Sequence, residues 1–143
     1  MNEVQTLFLW GSLGLHLILT AVAYRACAYK KKSFSLTPAA ALFGAFVWGD
    51  VLVLSPFWSI VSATALFLQS WHFFLVATSV FWIVRSAGEV LYWFLEQFTG
   101  AVRNKPQDLF GYRLVKSEAI YFVYQVFWQC VLVLSIIWHQ YLG

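Results

Sequence analysis

The sequence predicts an all-α integral membrane protein built as a bundle of four transmembrane helices. Three observations predict it. Of the 143 residues, 62% are hydrophobic and only 10% are charged, where a soluble domain carries about 25% charged residues. The mean hydropathy is +0.73. Four long apolar runs fill nearly the whole chain at about 20 residues per span, so the expectation is a single transmembrane domain over residues 1–143 with the lipid bilayer as its first partner.

Residues 4–24 form the first run. A cleaved signal peptide would have a basic stretch before it; here Glu3 precedes it, and Arg25, Lys30, Lys31 and Lys32 follow. This reads as a retained span. Ser12, His16, Thr20 and Tyr24 recur every four residues and so form a polar stripe along one helix face.

Thr37-Pro38 has the form of a helix start, with a capping threonine before a proline at the first helical position. The second helix is therefore expected over 38–67, kinked or broken at Pro56. Residues 57–68 then either extend that helix or lie at the membrane interface. Gln69-Ser70 is the least apolar point between Phe57 and Val84 and marks the next turn. The third helix is expected over 71–98, ended by Thr99-Gly100, and the fourth over 114–141, after a loop that holds Arg103, Lys105 and Arg113.

The two basic loops fall on one side of such a bundle, which the positive-inside rule makes cytoplasmic. Both termini are then outside, with the plasma (inner) membrane as the expected location. Trp10, Trp58, Trp71 and Trp138 fall near the outer boundary in this register, as an aromatic belt would. The basic clusters are orientation determinants. No basic domain is present to bind nucleic acid.

Within the third helix, Arg85 and Glu89 are four residues apart and share a face, with Glu96 seven further on. Charges at membrane depth are costly and mark either a functional route or a structural lock. Counted from Pro38, Asp50 lies 12 residues in, roughly 18 Å deep; counted from Trp71, Arg85 lies 14 residues in, roughly 21 Å. In a hydrocarbon core of about 30 Å both approach the midplane. His16, Gln125 and Gln129 are expected in the same slab. The candidate intramembrane site is therefore His16, Asp50, Arg85, Glu89, Gln125 and Gln129, with Asp50 and Glu89 holding Arg85.

Glu96, Glu118 and Tyr121 form a secondary polar set near the basic side, where the two acids would pair with Arg103, Lys105, Arg113 or Lys116. Glu118, Tyr121, Gln125 and Trp128 have helical spacing and read as an interhelical stripe. His72 and His139 lie at matching outer levels and could bind a metal or haem, although two headgroup-facing histidines explain them as well. No cofactor is otherwise implied. Cys27 and Cys130 have no metal-type or redox spacing. Nucleophilic-hydrolase, Walker, HExxH and CxxC signatures are absent, so nothing in the chain points to an enzyme.

Three functions fit these observations. The first is an oligomeric channel or carrier for an ion or small polar solute, since one four-helix protomer leaves little room for a route. The second is a non-catalytic accessory subunit or assembly factor docking on a partner membrane protein. The third is a redox subunit using His72 and His139.

Overall fold

The computed structural model describes residues 1–35, 37, 43–99 and 104–142. Among these residues the regular structure is helical, and four helices are long and apolar enough to cross a membrane by length and composition. The chain divides into two compact units, Met1–Ala77 and Thr78–Gly143.

In the first unit, α1 spans Glu3–Tyr24. Asn2 starts it with a reciprocal capping box. The Asn2 side-chain oxygen accepts the Gln5 N–H at 2.8 Å, and the Gln5 side-chain oxygen accepts the Asn2 N–H at 2.9 Å. Two of the donors left open at a helix start are thereby satisfied. The helix does not stop at Tyr24. It widens into a π-turn, Arg25–Tyr29, and ends where Lys31 takes a left-handed backbone at φ 51°.

The second span, α2, covers Trp48–Phe67. It begins well after the Thr37-Pro38 signal. Residues 38–42 lie outside the described part, and Gly44–Val47 are not helical. The reason is a backbone pairing that no local rule anticipates. The Trp48 and Gly49 N–H groups donate to Ser35 O at 3.3 Å and Ser33 O at 2.9 Å, and the Thr37 N–H donates to Phe46 O at 2.8 Å. The opening donors of α2 are thus satisfied by the incoming chain.

At Pro56 the helix continues without a break, so residues 57–67 extend α2 and do not form a separate interfacial segment. A proline inside a span is tolerated where neighbouring groups take up the freed carbonyl. Gln69, at φ 51°, ends the helix, with its side-chain amide donating to Leu66 O at 2.8 Å. Ser70 Oγ then accepts the Phe73 N–H at 3.1 Å and caps the next helix, α3, Trp71–Phe98.

Antiparallel packing of α1 on α2 makes the core of this unit. Ala23, Ala45 and Val51 are buried, with Leu19, Trp48, Leu52 and Leu54 packed around them. Small residues at the contact let the two backbones approach. At the other end of α1, Phe8 meets Trp71 and Phe74 edge-on, with centroids 5.6 Å and 5.8 Å away.

The second unit contains most of α3 and the last span, α5, Ala119–Leu142. Between them lie a 3-10 turn, Pro106–Asp108, and a short helix, α4, Tyr112–Val115. The last span begins five residues later than the hydropathy pattern indicates. Gly111 (φ 85°) and Lys116 (φ 50°) bracket α4 with left-handed backbone and separate it from α5. For Lys116 that conformation is uncommon.

Candidate functional site

In the first unit the polar stripe of α1 packs inward. His16 is 1% exposed. Its Nδ1 lies 2.8 Å from Ser12 O, which fixes the proton on Nδ1 as donor. Ser12 Oγ reaches across to Ser62 Oγ on α2 at 3.0 Å, and Thr20 Oγ1 donates back to His16 O at 2.7 Å. The ring stands edge-on to Phe43 at 4.7 Å and beside Trp58 at 6.3 Å. Trp58 in turn donates Nε1–H to Phe43 O at 3.3 Å. Ser55, Ser59 and Ser62 are all buried along α2. The result is an interhelical seam of hydroxyls and aromatic rings around one histidine.

Asp50 stands elsewhere. It lies in the first turn of α2, where Oδ2 accepts the Phe46 N–H at 2.9 Å. A carboxylate there also meets the positive end of the helix dipole. Because Trp58 lies opposite His16, Asp50 sits eight residues nearer the basic loop, about 12 Å along the axis. His16 and Asp50, expected at one level, therefore stand about two helical turns apart; the expected helix start at Pro38 lies outside the described residues. Trp58 is a buried mid-helix residue and not part of an outer belt; it is 4% exposed.

In the second unit, Arg85 and Glu89 form the local ion pair that their spacing implies, with Nη2 to Oε1 at 2.9 Å. The other Glu89 oxygen accepts from Trp93 Nε1 at 3.1 Å. Trp93 is buried and packs against Tyr124, with centroids 4.6 Å apart, and against Tyr121 in a stacked arrangement at 6.2 Å. An aromatic cluster from α3 and α5 therefore continues the charged pair.

One turn further along α3 the polar groups cross between elements. Gln97 Nε2 donates to Gln125 Oε1 on α5 at 2.6 Å. Glu96, 5% exposed, accepts the backbone N–H of Asn104 at 2.7 Å. The Asn104 side-chain amide bonds the Tyr92 hydroxyl, and the Tyr121 hydroxyl donates to Asn104 O at 2.5 Å. One loop residue is thus gripped by two side chains of α3 and one of α5. At the opposite end of the unit, Ser79 Oγ and His139 Nδ1 are 2.8 Å apart.

Of the expected residues, the second unit brings together Arg85 with Glu89, and Glu96 with Tyr121 through Asn104, while Gln125 meets Gln97. Gln129 and Glu118 are exposed, as is His72 in the first unit. Glu118 accordingly leaves the stripe that Tyr121, Gln125 and Trp128 make. Gln97, Asn104, Tyr92 and Ser62 were not anticipated. Tyr92 precedes Glu96 by four residues and could have been read with it; the others meet partners far along the chain. Among the described residues no group of three or more histidine, cysteine or acidic side chains is placed to hold a metal ion.

Comparison with protein-family models, with curated proteins and with solved structures finds no match for this chain.

Proposed function

We propose that the chain is a non-catalytic, membrane-embedded subunit that docks on another membrane protein, with its polar residues fastening its own helices. The observation that carries this reading is the set of bonds that Asn104, Glu96, Tyr92 and Tyr121 make, beside Gln97–Gln125. Each of these polar groups is turned toward another element of the same unit. Inside a bilayer such bonds act as interhelical glue, each contributing about 0.6 kcal/mol on average. In this reading the protein lies in the plasma (inner) membrane, with both basic loops cytoplasmic and both termini outside.

A second reading, an oligomeric channel or carrier, draws on the Arg85–Glu89 pair. It sits midway along α3, and its side chains are 26% and 15% exposed. A mid-span charge that reaches the surface of one chain calls for protein or water against it, not lipid.

Ion flux through the purified chain in proteoliposomes separates the two. The docking reading expects no flux above that of protein-free liposomes, and no change with Glu89→Gln. A gradient-driven flux that Glu89→Gln abolishes, while the variant stays folded, gives the function to the second reading.

A further inference from the structure

The residues at the basic end of α1 are arranged as a site, and we propose that Arg25, Lys30 and Lys32 hold the phosphate of an anionic phospholipid headgroup. Two cavities, of about 360 Å³ and 580 Å³, share Arg25 and Lys30 in their walls. Lys32 and Trp48 complete the first, over an apolar floor of Val22 and Ala26. Tyr24 and Tyr29 line the second. Neither lining contains an acidic side chain among the described residues.

The backbone explains why the cations converge. The π-turn after Tyr24 widens the helix end, and such turns recur at functional sites. Lys30 N–H donates to Arg25 O at 3.3 Å. The left-handed Lys31 then turns the chain back, so that Lys32 N–H reaches Ala26 O at 3.0 Å. Lys30 and Lys32 are thereby brought over the same helix end as Arg25, and Tyr24 meets Tyr29 edge-on at 6.1 Å beside them.

Depth and chemistry identify the ligand. The 22 residues of α1 extend about 33 Å, close to the hydrocarbon thickness of about 30 Å. Arg25 therefore falls at the level of the lipid phosphates. Tryptophan and tyrosine favour that level because each has an apolar body and a polar tip. Arginine suits a phosphate because its planar fork donates two parallel bonds, and lysine adds a mobile charge. A basic pocket beside a membrane-spanning helix is a recognised form of anionic-lipid site.

The test uses the full chain in nanodiscs of phosphatidylcholine with a minor fraction of phosphatidylglycerol. Lipid retained by the protein is counted by native mass spectrometry after gentle detergent transfer. Both leaflets of the disc are alike, so insertion direction, which these same charges influence, does not affect the reading. The expected result is preferential retention of phosphatidylglycerol over phosphatidylcholine, weakened about fivefold for each cation lost in Lys30→Gln and Lys32→Gln. Arg25→Lys, which conserves charge and is the gentler change for folding, should also weaken retention by removing the fork. Equal retention of both lipids, or unchanged retention in all three variants at wild-type helical content, overturns the proposal. Inorganic phosphate competing as tightly as the lipid would overturn the lipid assignment in favour of a soluble phosphate.

Discussion

Gln97 and Gln125 stand 28 residues apart in sequence and meet at 2.6 Å between α3 and α5. Either amide alone would be left facing a partner that can no longer answer it, at a cost of about 1 kcal/mol. Gln97→Leu and Gln125→Leu should each destabilise the protein by about that amount, and the double variant should recover about 0.6 kcal/mol relative to the sum. Denaturant titration of the detergent-solubilised chain measures the cycle. Strict additivity would mean that the two amides do not support each other. This pair also marks the limit of what single residues disclose. Arg85–Glu89 was legible because a spacing of four fixes a shared helix face whatever the tertiary structure. Gln97 is not legible in the sequence because its partner lies on another helix and nothing local points to it. Glu96 was legible as a polar residue needing satisfaction, but the group that meets it is a loop backbone N–H, which any residue type at position 104 other than proline could supply.

At the scale of elements, hydropathy located the apolar runs and the turn at Gln69–Ser70 falls at their least apolar point. Helix starts were less legible. The Thr37-Pro38 signal is chemically sound, yet α2 begins at Trp48 because Ser33 and Ser35 carbonyls take its opening N–H groups. That pairing depends on the chain turning back at Lys31, a left-handed lysine that no propensity scale favours. With α2 starting at Trp48, Asp50 stands in its first turn and about two turns along the axis from the level of His16. Pro56 was ambiguous for a different reason: a proline can end a helix in water but can be carried within a span. Its effect can be measured. Spin labels at the exposed positions Val53 and Phe67 lie 14 residues apart along α2, about 21 Å if the helix is continuous. Electron paramagnetic resonance distances centred near that value are expected. A markedly shorter or bimodal distribution would mean that the helix breaks at Pro56.

For the whole molecule, two spans, α2 and α3, separate the basic loop after α1 from the basic loop before α5. Both loops must then lie on one side of the membrane if all four long helices cross it. Single cysteines at Lys31 and Asp108, in a chain with Cys27 and Cys130 replaced by alanine, should react with an impermeant maleimide from the cytoplasmic side only. Labelling of the two positions from opposite sides would show that one of α2 and α3 does not cross. The remaining question is what covers the long apolar helices. Their outer faces carry large apolar side chains such as Phe94, Phe127 and Trp138, which suit lipid and protein neighbours alike, so hydropathy alone could not distinguish a subunit from a channel. The most direct measurement is the mass and composition of the native assembly, extracted in a lipid-polymer disc without detergent. A subunit should emerge in a stoichiometric assembly with a different membrane protein. Recovery only as a ring of identical chains that dissipates an ion gradient once reconstituted would contradict that role.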